Sequence, residues 1–208
     1  MTTIYLIRHS KVFKVNNELN SDNLQVQNEK LSLSIEGELL AQNKMSNPIF
    51  NNIDKLYSSN YVRAIQTAKY LADKNNLEVN VVSDLGERKF GVSSFNELPD
   101  DFGRRQFLDE NYKIGDGESQ KEVRNRMVST VTKILDENKG RNIAIVSHGT
   151  AISYLLKKWC NIEFIDDKLR YYFNDKVLLH GHIDNCMIFK LEFHDNNEIF
   201  NIEMLIDK

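Results

Sequence analysis

Two stretches decide how this chain reads: Ile4-Tyr5-Leu6-Ile7-Arg8-His9-Ser10 and Ile143-Ala144-Ile145-Val146-Ser147-His148-Gly149. In each, a short apolar run ends in a histidine. Unbroken apolar runs of this length, rich in Ile, belong to strands buried on both faces, as in parallel sheets. In open α/β sheets the ligand crevice lies beyond the carboxyl ends of the strands. Arg8, His9, Ser147 and His148 therefore fall where such a sheet carries its chemistry. The chain has five histidines, and two of them end strands of this kind.

The length of 208 residues suits one domain with an elaborated insert. Lysine and arginine number 27 against 30 acidic residues, a net charge of -3. That balance offers no basic footprint for nucleic acid and no polybasic run for a membrane surface. No apolar stretch approaches the ~20 residues that span a bilayer. The first strand begins almost at residue 1, which leaves no room for a signal peptide. Cys160 and Cys186 lack a metal-ligand spacing and read as buried thiols rather than a disulfide framework. These features predict a cytoplasmic protein. The oligomeric state stays open, a homodimer included.

Residues 11–30 are polar, without a sustained apolar period, and read as a long loop with room for a short hairpin. Loops of that length in compact domains tend to be functional. A helix is expected from Ser34, a plausible N-cap, to about Met45, ending before Asn47-Pro48. A short strand over residues 54–58 leads through Ser58-Ser59-Asn60 into a helix over 61–73. A third strand over 78–82 precedes a charged loop containing Glu87-Arg88-Lys89. Residues 96–111 read as helical, 119–138 as a long amphipathic helix, and 150–159 as another. The tail reads as antiparallel strands over 176–180, 186–193 and 199–206. The segment at about 90–117 is thus an insert positioned to cover the strand ends within a single domain spanning 1–208.

If the strand ends near Arg8-His9, Ser58-Ser59, Glu87 and Ser147-His148 converge, they place two imidazoles, two guanidiniums and a carboxylate around one pocket. Phosphoryl transfer asks for such a set, because its transition state spreads charge over three equatorial oxygens. Arg8 and Arg63 can each offer bidentate, charge-assisted bonds to those oxygens. A neutral imidazole can attack phosphorus and form a phosphoramidate that water opens in a second step. Glu87 is the candidate to protonate the leaving alkoxide. Arg63 has two readings. In the first turn of its helix it either points to water or shares an anion with the helix N-terminus. Arg104-Arg105 likewise either bind a second anionic group or sit on a solvated face.

Leu6-Ile7-Arg8-His9-Ser10 resembles the Arg-His signature of the histidine phosphatase superfamily, the phosphoglycerate mutase-like fold. The similarity continues in Leu33-Ser34 with Gly37 and Ala41, and in Tyr57-Ser58-Ser59 with Arg63-Ala64 and Thr67-Ala68. It extends to Leu85, Glu87 and Phe90-Gly91, then to Gly117-Glu118-Ser119 with Arg126, and to Val146-Ser147-His148-Gly149. The resemblance implies a three-layer α/β/α fold with a mostly parallel central sheet and a small helical insert over the strand ends. It implies His9 as phosphorylated nucleophile, with Arg8, Arg63 and His148 holding phosphoryl oxygens. Glu87 would be the proton donor, with no metal and no cofactor. The implied partner is a small-molecule phosphate ester.

The chain departs from that pattern directly after His9. Many members continue Gly-Glu-Thr and place an Asn on the phosphate a few residues on. Here Ser10-Lys11-Val12 follow, Val15 falls where that Asn would lie, and Asn16 is out of register. Ser10 or Lys11 is the expected substitute, with Asn16 the other candidate for contact with the substrate. The longer Trp- and Asn-rich segment of the mutases is absent, which favours a phosphomonoesterase. The alternatives are a phosphoglycerate mutase-type phosphoryl transfer and a non-catalytic relative that binds phosphorylated ligands.

Overall fold

A computed structural model describes residues 1–15, 23–166 and 168–205. Its centre is a six-stranded sheet containing β1 (Thr2–Arg8), β2 (Lys55–Ser58), β3 (Val79–Val81), β4 (Asn142–Ser147), β8 (Ile188–Phe193) and β9 (Ile199–Leu205). The spatial order is β3-β2-β4-β1-β8-β9. The four strands from β3 to β1 run parallel, while β8 and β9 add antiparallel to the edge of β1. The two strands that carry the sequence signature are therefore neighbours, with Arg8 opposite Ser147.

The apolar run of β1 divides between two cores, as the period of two dictates. Ile4 and Leu6 face one layer with Val123, Met127, Val131, Ile152 and Leu155. Tyr5 and Ile7 face the other with Ala41, Met45, Ala64, Ala68 and Leu71. The first layer holds α5 (Gln120–Glu137) and α6 (Gly149–Leu156), and the second holds α2 (Ile35–Met45) and α3 (Val62–Asn75). This is the expected three-layer arrangement. Ser34 and Ser119 cap α2 and α5, and Ser119 and Glu122 form a reciprocal capping box. Asn76, at φ 51°, ends α3 in the left-handed region. Cys160 and Cys186 are buried thiols.

Two expectations need correction. Within the stretch read as a loop over 11–30, α1 (Leu24–Lys30) forms, with Asn23 accepting from Val26 N–H as its cap. Residues 16–22 lie outside the described residues. The helix expected over 96–111 is a short 3-10 turn, Phe95–Glu97, followed by α4 (Phe102–Leu108). Pro99 explains the break, because it disfavours helical backbone at Leu98, which is extended. The antiparallel strand expected over 176–180 forms as β7 (Lys176–His180). It joins β5 (Asn161–Ile165) and β6 (Lys168–Phe173) in a separate antiparallel sheet of order β5-β6-β7. No helix among the described residues is long and apolar enough to cross a membrane.

The turn after β1 is seated against α2. Ser34 N–H donates to the Lys11 carbonyl at 3.1 Å, and Ser10 Oγ donates to the Gly37 carbonyl at 2.7 Å. A Cβ on Gly37 would lie 2.0 Å from that same Lys11 oxygen. Gly37→Ala should therefore force the two segments apart and destabilise the fold by roughly 1–3 kcal/mol in urea unfolding. It should also disturb the loop that carries His9. A stability equal to that of the wild type would show that the contact is not rigid.

Candidate active site

The parallel pairing of β1 with β4 does most of the assembly. His9 N–H donates to the Ser147 carbonyl at 2.9 Å, so the two turns leave the sheet side by side. The His9 and His148 rings stand 5.0 Å apart between centroids. Both are buried, as are Ser58 and Ser59 at the end of β2.

Arg63 links the two imidazoles. It is 4% exposed, so the water-facing reading of this residue does not hold. Its Nε donates to His9 Nε2 at 3.1 Å, and its Nη2 lies 3.3 Å from His148 Nδ1. Its Nη1 donates to the Asn28 carbonyl in α1. Arginine keeps its protons, so His9 Nε2 is an acceptor and the ring proton sits on Nδ1. Nδ1 in turn donates to the Ser10 carbonyl at 2.7 Å. Ser59 Oγ lies 2.7 Å from His148 Nε2, and the Tyr61 ring packs 4.5 Å from the His148 ring. Burial, reinforced by the Arg63 cation, pushes the His9 imidazole down to about 3. Burial and the surrounding positive groups likewise hold His148 well below the ordinary histidine range. Burial pushes the Tyr61 phenol up to about 12.

Arg8 completes the cationic side. Its Nη1 donates to the Ile183 carbonyl, while its buried Nε has no partner. Gly149 makes room for it, since a Cβ there would stand 3.3 Å from Arg8 Nε. Burial lowers the Arg8 pKa, against the opposing pull of Glu87 and Asp184.

Glu87 sits on the N-terminal turn of α6. Its Oε2 accepts from Thr150 N–H at 3.2 Å and its Oε1 from Ala151 N–H at 3.1 Å. A carboxylate is favoured there by the free N–H groups and the helix dipole. Arg126 holds the backbone of this loop, donating to the carbonyls of Asp84, Gly86 and Glu87 while pairing with Glu118 at 2.7 Å. Ser147 Oγ adds a bond to the Leu85 carbonyl at 2.7 Å.

Arg8 and Glu87 open onto a cavity of about 510 Å³. One wall is α4, with Arg104 and Phe107. The opposite wall comes from the second sheet, with Phe164, Leu169 and Tyr171. Of the expected site residues, Arg8 and Glu87 line this cavity, while His9, Arg63 and His148 form the hydrogen-bonded cluster described above. Arg104 lines the cavity with its guanidinium 5.4 Å from the Phe164 ring. Arg105 instead pairs with Asp101 at 2.8 Å and is exposed. The hydroxyl of Ser10 is turned to Gly37, as described above, and Asn16 lies outside the described residues. Sequence reasoning did not single out Asn185, whose amide donates to the His9 carbonyl at 3.0 Å, nor the second-sheet wall. Neither carries a local motif.

Between the ordinary histidine value of 6.5 and about 3, the unfolded chain protonates this imidazole and the folded protein does not. The stability that His9 contributes is therefore complete above pH 6.5 and is lost as the pH falls through that window. Relative to His9→Gln, the wild type should lose about 2 kcal/mol more between pH 7 and pH 5. Parallel unfolding curves for the two proteins would show instead that His9 is protonated in the folded state.

The sequence profile of the histidine phosphatase superfamily (branch 1) matches residues 4–202. No curated protein sequence gives a significant match. Among solved structures, the chain is similar to a mycobacterial glucosyl-3-phosphoglycerate phosphatase complexed with VO3, at 19% identity and a TM-score of 0.70, covering 98% of this chain and 97% of that one. It is also similar to a phosphoserine phosphatase from Entamoeba histolytica in complex with 3-phosphoglyceric acid, at 22% identity and a TM-score of 0.66, covering 98% and 97%. A third is YhfR of Bacillus stearothermophilus, at 20% identity and a TM-score of 0.68, covering 96% and 95%. At these identities the solved structures speak for the fold, whereas the profile spans nearly all of the sequence, so the chain belongs to the histidine phosphatase superfamily, branch 1.

Proposed function

We propose that the protein is a phosphomonoesterase that hydrolyses a small phosphorylated metabolite through a phosphohistidine on His9. The observation that carries the reading is the state of His9. Its ring is neutral, its proton is held on Nδ1 by the Ser10 carbonyl, and Nε2 presents a lone pair among Arg8, Arg63 and His148. A binding module has no need of a nucleophile prepared in this way. The relatives named as phosphatases agree with the reading.

In the first step, substrate phosphoryl oxygens replace the imidazoles as partners of Arg63, which frees Nε2. Nε2 attacks phosphorus opposite the alcohol oxygen, and the P–O bond breaks. Glu87, carrying a proton taken up with the incoming ester, gives that proton to the departing oxygen. The Ser10 carbonyl receives the Nδ1–H of a ring that has become cationic, which stabilises the intermediate. In the second step Glu87 takes a proton from water, the water oxygen bonds to phosphorus, and the P–N bond breaks to release inorganic phosphate. His9 returns to its neutral form. The arginines supply charge stabilisation aimed at the equatorial oxygens. Among the described residues, no three His, Cys, Asp or Glu side chains are grouped so as to hold a metal ion.

The alcohol part of the substrate occupies the cavity between α4 and the second sheet, with Arg104 on its wall. Wild-type protein should release phosphate from p-nitrophenyl phosphate without priming by a bisphosphorylated compound. His9→Ala should lose this activity by at least roughly 10³-fold, and Glu87→Gln by about 10²-fold or more. Phosphate release that survives in His9→Ala, or that requires a bisphosphoglycerate primer, would contradict the proposal. Arg104→Ala should raise KM more than it lowers kcat, as expected for a group that binds the alcohol part equally in ground and transition states.

A further inference from the structure

The two histidines of the site carry their protons on opposite ring nitrogens. In His9 the proton sits on Nδ1, held by the Ser10 carbonyl at 2.7 Å, and Nε2 accepts from Arg63 Nε. In His148 the order is reversed. Its Nδ1 lies 3.3 Å from Arg63 Nη2, and a guanidinium nitrogen can only donate, so Nδ1 carries the lone pair. Burial keeps the ring neutral, with a single proton, which therefore sits on Nε2. The atom facing Nε2 is Ser59 Oγ, at 2.7 Å. The converse arrangement, with Ser59 donating to Nε2, would set an Nδ1–H against the N–H groups of Arg63.

Ser59 is held in place by the backbone. It is fully buried just past the end of β2. Its N–H donates to the Val146 carbonyl at 3.0 Å, two residues before His148, and its Oγ also accepts from Tyr61 N–H at 3.4 Å. The parallel pairing of β2 with β4 thus sets the hydroxyl and the imidazole side by side. The other groups acting on the His148 ring are cationic or neutral: Arg8, Arg63 and Arg126, the His9 imidazole and the Tyr61 ring. The charge of Glu87 acts on Arg8, Arg63 and Tyr61. Among the described residues, the Ser59 hydroxyl is the one acceptor within hydrogen-bond distance of that Nε2–H.

We infer that Ser59 is a positioning residue for the reaction, holding the His148 proton on Nε2 so that Nδ1 is the ring atom presented to the phosphoryl group. The inference rests on the phosphomonoesterase reading above. The lone pairs of both rings point at Arg63, and the two have different fates. When phosphoryl oxygens displace Arg63, the lone pair of His9 attacks phosphorus. The lone pair of His148 would instead repel a phosphoryl oxygen, so Nδ1 takes up a proton from water and becomes a donor. The Ser59 hydroxyl accepts from Nε2–H in both states, so the ring changes charge without turning. Without that hydroxyl the buried Nε2–H would be left unpaired, and the other tautomer or a turned ring would compete.

NMR of protein carrying isotope-labelled histidine tests this without relying on turnover. Long-range proton–nitrogen correlations of the free wild type should show the His9 ring protonated on Nδ1 and the His148 ring on Nε2, each assigned by its loss in His9→Gln or His148→Gln. Saturating inorganic phosphate should protonate both nitrogens of the His148 ring. In Ser59→Ala that ring should no longer rest in the Nε2–H form alone, and kcat/KM for p-nitrophenyl phosphate should fall about tenfold or more, the loss expected for a bond to a ring that becomes charged. Ser59→Thr, which keeps the hydroxyl, should retain the tautomer and most of the activity. The role of Ser59 would be overturned, with the phosphatase reading intact, by a free wild type whose His148 is protonated on Nδ1 or does not respond to phosphate. The same holds for a Ser59→Ala protein that keeps the wild-type tautomer or the wild-type kcat/KM. Wild-type protein that releases no phosphate from p-nitrophenyl phosphate would overturn the phosphomonoesterase reading, whatever the spectra show.

Discussion

The site depends on one pairing, that of β1 with β4 in parallel register. Arg8 lies opposite Ser147, so two histidines separated by 138 intervening residues leave the sheet on adjacent strands. A slip by one residue would send every side chain of β1 to the opposite core. Ile4 and Leu6 would then exchange layers with Tyr5 and Ile7, in interiors filled by different helices. The hydrophobic cores thus enforce the spacing of the imidazoles, and the stability of the fold and the geometry of the chemistry rest on the same contacts.

The second constraint is electrostatic. Arg8 and Arg63 are buried beside imidazoles that burial keeps neutral. Burying cations without counter-ions is unfavourable, and the cost is reduced here by carbonyls: Ile183 for Arg8 and Asn28 for Arg63. These carbonyls leave the guanidiniums oriented but not neutralised. A phosphoryl dianion entering the site would exchange solvent for preorganised donors, which is how such sites lower a barrier. The Glu87 carboxylate accepts from the first turn of α6 and makes no ion pair with Arg8 or Arg63 among the described residues, although its charge acts on both guanidiniums.

Much of this was legible in the chain itself, and the reasons are local. Continuous apolar runs before His9 and His148 marked central strands, and the Ser34 cap announced α2. On helix physics alone Arg63 was readable only as an alternative, because a cation in a first helical turn is explained by solvent as well until its burial is seen; the family resemblance is what assigned it to the phosphoryl oxygens. The second sheet escaped notice because no Gly or Pro lies between Gly149 and Gly181 to mark the ends of β5 and β6. Their hairpin passes through Asp166 in the left-handed region rather than through a Gly or Asn-Gly turn. Ser59 was hidden for a different reason. Its hydroxyl and the His148 ring come from separate parts of the sequence, so a serine that reads as a turn residue meets the imidazole only when the chain folds.

The account stands or falls on covalent chemistry at His9. Wild-type protein mixed with a slowly turned-over phosphate ester, quenched within one turnover and digested, should yield a peptide carrying one acid-labile, base-stable phosphoryl group on His9, and none in His9→Ala. Phosphate released at the wild-type rate with no phosphoryl group on His9, or with the group on another residue, would contradict it.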